Sequence, residues 1–133
     1  KFKEIIINSI ESDKQLSLLG IKSMDQLFLK KSKKIVEKYI SDPDFTVELF
    51  GKEMAMSRVQ LHRKLKALVN QPASDYIRTI RLNRAAILLK KKSGNVAEIA
   101  YGVGFNNPSY FSECFKKQFG VLPSEYKPNT PKS

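Results

Sequence analysis

Two stretches of equal length decide how this chain folds: SRVQLHRKLKALVN at residues 57–70 and NPSYFSECFKKQFG at residues 107–120. With the second laid on the first, Leu61, Leu65 and Lys66 fall on Phe111, Phe115 and Lys116. Asn70 falls on Gly120, and both residues tolerate the left-handed conformation that ends a helix. Ser57 with Gln60 three residues later forms a capping box, and Asn107 followed by Pro108 is a cap with proline at the first helical position. The match continues downstream, where Ser74-Asp75-Tyr76 falls on Ser124-Glu125-Tyr126. Upstream the offset shortens by one, so Phe50-Gly51 meets Ile99-Ala100 and Met54-Ala55 meets Val103-Gly104. That change predicts one extra turn residue in the second copy, Asn106. Each copy reads as short helix, tight turn, longer helix. Gly51 and Ala100 are small where the second helix crosses the first. Any helical bundle holds one such pair by chance, but two copies in register point to two helix-turn-helix units. Two copies are too few for a solenoid.

Working outward, Met24, Leu27, Phe28, Ile35, Val36, Tyr39 and Ile40 recur at helical spacing. Ser23 with Gln26 caps that helix, and Asp42-Pro43-Asp44 ends it. Thr46 caps a short helix from Val47 to Met54. Pro72 and Ser74 open a long helix to about Lys92, broken by Ser93-Gly94. Asn95 with Glu98 caps a short helix ending near Val103, and Gly104 makes a turn. Pro123 to Tyr126 forms one last turn. The long helix is apolar on two sides, with Tyr76, Ile77, Ile80 and Ile87 on one and Leu82, Ala85, Ala86 and Leu89 on the other. A surface helix normally has one stripe, so two describe a strut between two modules. Residues 1–23 admit either a helical stripe or a strand through Ile5-Ile6-Ile7, and read as a linker or the remnant of an upstream domain. Lys1 in place of Met fits a piece of a longer chain. Residues 128–133 read as a polar tail. The expectation is an all-α fold of seven helices without a strand.

The 133 residues carry 24 Lys and Arg against 13 Asp and Glu, a net charge of +11, and the isoelectric point is near 9.8. Most of the excess, +8, lies in residues 43–133 with the repeat. Such a balance favours an anionic partner. The plain alternative is a lysine-rich surface that keeps the chain soluble. A single cysteine, Cys114, rules out an internal disulfide framework and fits a reducing compartment. With one histidine, His62, it cannot make a four-ligand zinc site. Glu48 and Glu53 read as exposed acids without a partner pattern. Gly102 and Gly104 sit at a helix end and turn, not in a phosphate-cradling loop. No catalytic constellation, cofactor site or metal site follows. No apolar run is long enough to span a membrane.

A helical wheel at about 100° per residue picks the outward faces. In the helix after Ser57, Leu61, Leu65 and Leu68 point inward, and Val59 and Arg63 lie opposite, flanked by Gln60, His62, Lys66 and Ala67. In the helix after Asn107, Phe111 and Phe115 point inward with Cys114 near the core side. Ser109 and Glu113 lie opposite, flanked by Tyr110, Ser112, Lys116 and Lys117. The chemistry of these faces suits a DNA major groove. Arg63 can hold guanine O6 and N7 together, Gln60 suits adenine, Val59 can touch a thymine methyl, and Glu113 can accept from a cytosine amino group. His62, Ser109 and Ser112 complete the candidate base contacts. Ser57, Arg58, Lys66, Asn107, Lys116 and Lys117 are the candidate phosphate contacts, helped by the N–H groups of two helix N-termini. A solvated polar face is the competing reading. A helical module that binds protein, or nucleic acid without sequence preference, is the competing function.

These residues resemble the DNA-binding domain of the AraC family of bacterial transcription regulators, over roughly Asp25 to Lys127. The segments that carry the resemblance are Val47-Glu48-Leu49-Phe50-Gly51, Ser57 to Lys66, Ile77-Arg78-Thr79-Ile80-Arg81-Leu82-Asn83-Arg84-Ala85 and Val96 to Phe105. The most specific are Asn107-Pro108-Ser109-Tyr110-Phe111-Ser112, Phe115-Lys116-Lys117-Gln118-Phe119-Gly120 and Pro123-Ser124-Glu125-Tyr126. The resemblance implies a seven-helix unit over residues 24–127. Its first helix-turn-helix spans about 47–68, its linker helix 74–92 and its second helix-turn-helix about 95–119. It implies sequence-specific binding of double-stranded DNA by two recognition helices in adjacent major grooves. Three departures stand out: Ala55 where glycine is frequent, Glu113 where many members carry a basic or neutral residue, and Lys127 where arginine is common. The wording of Asp25-Gln26-Leu27-Phe28-Leu29 and Ile40-Ser41-Asp42-Pro43-Asp44-Phe45 is similar to the linker that follows a receiver domain in response regulators and Bacteroides-type hybrid sensors. A sugar-sensing barrel is the alternative upstream partner. The implied setting is the cytoplasm, or the cytoplasmic end of a membrane-anchored sensor whose kinase domain lies upstream. RNA polymerase and a second copy on a tandem site are the further partners it implies, with no membrane contact by this segment.

Overall fold

The computed structural model describes residues 24–126, and the capping role read for Ser23 and the residues on either side of that range lie outside the description. Among the described residues the fold is all-α: α1 Met24–Lys38, α2 Val47–Met54, α3 Arg58–Val69, α4 Ala73–Lys90, α5 Val96–Gly102 and α6 Pro108–Phe119, closed by a 3₁₀ turn at Pro123–Glu125. No strand occurs among them.

The caps read from the sequence are formed. Thr46 Oγ1 accepts from the Leu49 N–H at 3.2 Å. Ser57 and Gln60 bond reciprocally, as do Asn95 and Glu98. Asn107 Oδ1 accepts from the Tyr110 N–H at 3.1 Å. Asn70 and Gly120 end α3 and α6 at φ 56° and 84°. Two ends differ from expectation. α1 stops at Lys38, and the chain unwinds through short turn bonds to Asp42, whose Oδ1 accepts from the Asp44 N–H at 2.9 Å. α4 runs from Ala73 to Lys90, with Pro72 at its cap and no side-chain cap bond.

The two helix-turn-helix units repeat each other down to their turns. The Met56 N–H donates to the Gly51 carbonyl at 2.9 Å, and the Phe105 N–H donates to the Ala100 carbonyl at 3.0 Å. The residue before each bond is left-handed, Ala55 at φ 58° and Gly104 at φ 95°. One residue separates Ala55 from the Ser57 cap and two separate Gly104 from the Asn107 cap, which accounts for the shift in the repeat. A Cβ on Gly51 would stand 2.9 Å from the Met56 carbonyl oxygen, so the turn folds directly back over that position.

Two apolar cores result. The first gathers Val36, Phe45, Phe50, Leu61, Leu65, Val69 and Tyr76 from α1 through the start of α4. The second gathers Leu82, Ala85, Ile99, Val103, Phe111 and Phe115. Tyr76 stacks on Phe50 with ring centroids 6.0 Å apart, and Tyr126 meets Phe115 edge-on at 5.3 Å. The repeat therefore extends to packing: the 3₁₀ turn sets Tyr126 against the second core as α4 sets Tyr76 against the first. The two stripes of α4 serve the two cores along its length, Tyr76, Ile77 and Ile80 early and Leu82, Ala85 and Ala86 later. Ile87 is the exception, 48% exposed, because α4 has passed the first core by that turn. Val69 is fully inward in α3, while Leu68 is only partly covered.

α1 is tied to α4 by a buried polar pair. Ser32 Oγ donates to the Leu29 carbonyl at 2.9 Å, so the Tyr76 hydroxyl, 2.7 Å away, donates to Ser32 Oγ. Burial pushes the Tyr76 phenol up to about 12. Lys64 Nζ reaches Asp25 at 3.0 Å and lies over the Phe28 ring, joining α3 to α1.

Candidate nucleic-acid interface

α3 and α6 hang on their apolar anchors, and their other faces follow from that. With Leu61 and Leu65 sealed in the first core, Val59, His62, Arg63, Lys66 and Ala67 are exposed. Val59 is 63% exposed. α3 carries four basic side chains and no acidic one. Its first turn lacks an acid to offset the positive end of the helix dipole. In α6, Phe111 and Phe115 are sealed, while Ser109, Glu113, Lys116 and Lys117 are exposed. Ser112 and Cys114 are half-buried.

Several candidate residues are already engaged within the chain. Gln60 Oε1 accepts from the Ser57 N–H at 2.9 Å while Ser57 Oγ accepts from the Gln60 N–H at 3.1 Å. Of the two ends an amide needs for adenine, Gln60 thus has its oxygen partly committed. Arg58 is ion-paired with Glu48, and Glu53 accepts from the Tyr39 hydroxyl at 2.9 Å. Both acids therefore have partners, contrary to the sequence reading. Asn107 is held as the α6 cap. Arg63, His62 and Lys66 lie on the open face of α3 with no side-chain bond of this kind.

One buried cation escaped the sequence reading. Arg81 is 8% exposed in the middle of α4. Its Nη1 donates to the Gly104 carbonyl at 2.6 Å and its Nη2 donates to the Asp42 carbonyl at 2.7 Å. Burial lowers its pKa, and the Asp42 carboxylate acts in the opposite sense. The available signal was a charged residue set between Ile80 and Leu82, where the two apolar stripes of α4 meet.

No group of three or more His, Cys, Asp or Glu able to hold a metal ion forms among the described residues, and no helix there is long and apolar enough to cross a membrane.

Comparison with known proteins agrees with this architecture. The chain is 43% identical over 111 residues to Histidine kinase P4 of Formosa agariphila, covering 84% of this chain and 8% of that one. It spans 39% of the transcriptional regulator MtrA of Neisseria gonorrhoeae, at 32% identity over 120 residues and 89% of this chain. Among solved structures, the C-terminal domain of AraT, a response regulator from Geobacillus stearothermophilus, superposes with a TM-score of 0.69 at 31% identity, over 78% of this chain and 86% of that one. The DNA-binding domain of the transcriptional factor AdpA, solved in complex with a target DNA, gives a TM-score of 0.67 at 26% identity, over 74% of this chain and 87% of that one. The chain thus spans well under half the length of those two curated relatives. The model of the helix-turn-helix domain family matches residues 50–129, which run from within α2 through the second unit, and the chain belongs to that family.

Proposed function

We propose that this chain is a DNA-binding domain of AraC type that reads double-stranded DNA with two recognition helices, α3 and α6, in adjacent major grooves. The observation that carries the reading is the duplicated turn, which leaves two helices anchored by equivalent residues with their polar faces free. α4, at 18 residues, is about 27 Å long at 1.5 Å per residue, close to the ~34 Å between successive major grooves on one side of a duplex. Val59, Gln60, His62 and Arg63 would face base edges in the first groove, and Ser109, Ser112 and Glu113 in the second. Ser57, Lys66, Asn107, Lys116 and Lys117 would hold phosphates. Arg58 would join them by exchanging Glu48 for a phosphate oxygen. The asymmetry between the helices makes the first head the stronger one, since Glu113 repels the phosphate backbone that α3 attracts.

In the whole protein this domain would be the output end of a two-component transcription regulator, with a receiver domain upstream in the same chain. The kinase and response-regulator relatives support that reading. RNA polymerase and a second copy on a tandem site would be its further partners, in the cytoplasm or at the cytoplasmic end of a membrane-anchored sensor.

The test is selection from a randomised duplex pool at about 0.15 M salt, where screening is near-physiological. Two enriched blocks about one helical turn apart are expected. One block would reduce the reading to a single head. Binding with no enrichment, lost steeply as salt rises, would replace it with a basic domain that lacks sequence preference.

A further inference from the structure

We propose that Arg81 is a positioning residue that sets the angle between the two helix-turn-helix units, and with it the spacing of the sites they read. The DNA consequence rests on the function proposed above, whereas the joint itself rests on geometry alone.

The two units do not share one continuous core. An open cleft of about 580 Å³ lies between Gln71 and Thr79 on one side and Glu113 and Lys117 on the other, with Arg78 and Tyr110 in its wall. A second, of about 290 Å³, lies between Phe45 and Thr46 and Phe105 and Asn106 elsewhere on the seam, with Arg81 in its wall. Between these openings, Arg78 of α4 interacts with Tyr110 of α6, and α4 and the Arg81 joint carry the rest of the connection. The guanidinium is a planar fork. One arm holds the Asp42 carbonyl in the α1–α2 loop of the first unit, and the other holds the Gly104 carbonyl in the α5–α6 turn of the second. Ile40, two residues before Asp42, packs against both cores.

Gly104 completes the joint. A Cβ there would stand 2.5 Å from both Arg81 Nη1 and the Ile40 carbonyl oxygen, and the residue sits at φ 95°. The turn of the second unit therefore approaches the arginine and the first unit's loop as closely as backbone allows. The equivalent residue in the first unit, Ala55, carries a side chain at φ 58° and is exposed. The glycine is thus demanded by contact between units as well as by the turn.

The joint can be tested without DNA. In the 133-residue chain bearing Cys114→Ser, nitroxide labels are attached through Lys52→Cys on α2 and Ala97→Cys on α5, both exposed positions outside the proposed DNA contacts. Pulsed electron spin resonance then reports the distance between the units. The parent is expected to give one narrow distribution. Arg81→Gln is expected to broaden it at least about twofold, as is Gly104→Ala, while far-ultraviolet circular dichroism keeps its helical signal, because each core closes separately. If Arg81→Gln does not fold, Arg81→Lys carries the same measurement with a single compact ammonium in place of the planar fork. Unchanged distributions in the folded variants would overturn the proposal. So would unfolding of both Arg81→Gln and Arg81→Lys, since the residue would then hold the fold and not the angle.

DNA adds a second readout. Inserting one base pair between the two selected blocks rotates one of them by about 34°. The parent is expected to lose about tenfold in affinity, and Arg81→Gln less than about threefold, with affinity for a single block unchanged. A parent that shows no sequence preference, while the variants still broaden the distance distribution, would remove the DNA reading and leave the joint standing.

Discussion

At the scale of single residues, Tyr76 and Arg63 show how differently two polar side chains are used. Tyr76 is wholly buried, stacked on Phe50 and bonded to Ser32. Its phenol is raised from 10 to about 12 by burial. Below pH 10 both folded and unfolded chains keep the proton, and the full stability is present. Above it the unfolded chain ionises first, so stability falls by about 1.4 kcal/mol per pH unit until the folded value is reached. Urea unfolding between pH 9 and pH 11.5 is expected to show this decline, and Tyr76→Phe is expected to flatten it while costing about 1 kcal/mol at pH 7 from the lost hydrogen bond. A decline of equal slope in Tyr76→Phe would assign the titration to another group. Arg63 is exposed on α3 and makes no comparable internal bond. Arg63→Ala is expected to weaken specific binding by about 1–3 kcal/mol and to relax preference at one base pair. Equal binding of every sequence by parent and variant would contradict the placement of α3.

At the scale of elements, the repeated turn gives a direct contrast. Both units need a left-handed residue after the first helix; the second uses Gly104 and the first uses Ala55 at φ 58°. An alanine there is strained by roughly 1–2 kcal/mol, part of which a glycine returns as extra freedom in the unfolded chain. Ala55→Gly is therefore expected to raise stability by about 0.5–1 kcal/mol, read as a higher melting temperature with unchanged DNA affinity. A lower melting temperature would mean that Ala55 is not strained in solution. The four helices of the two units were legible because their starts carry their own signals: Thr46, Ser57, Asn95 and Asn107 all cap as their spacing says. The end of α1 was not, because Tyr39 and Ile40 keep the apolar rhythm after the helix stops. They remain apolar because they pack on the cores, Ile40 on both, and not because they lie on a helix face. Ile87 errs in the opposite direction, keeping the rhythm where no core remains to receive it.

At the scale of the whole molecule, a net charge of +11 makes any nucleic-acid affinity strongly salt-dependent. Lys66→Ala is expected to weaken binding about equally on all sequences and to lower the slope of log affinity against log salt by about one. A loss confined to one sequence would make Lys66 a base contact instead.

The sequence by itself determined the all-α class, the two helix-turn-helix units and the identity of their anchors. Those properties are written in local signals: caps, left-handed stops and apolar spacing act over a few residues and repeat where the unit repeats. The outward faces of α3 and α6 were legible for the same reason, since fixing Leu61 with Leu65, or Phe111 with Phe115, leaves only one face free. Only the tertiary structure decided which polar groups are already engaged. Arg58 meets Glu48 across a turn, Ser32 meets Tyr76 from another helix, and Arg81 reaches two carbonyls far from it along the chain. Such pairings depend on how separate elements come to rest against one another, and no spacing along a single helix encodes them.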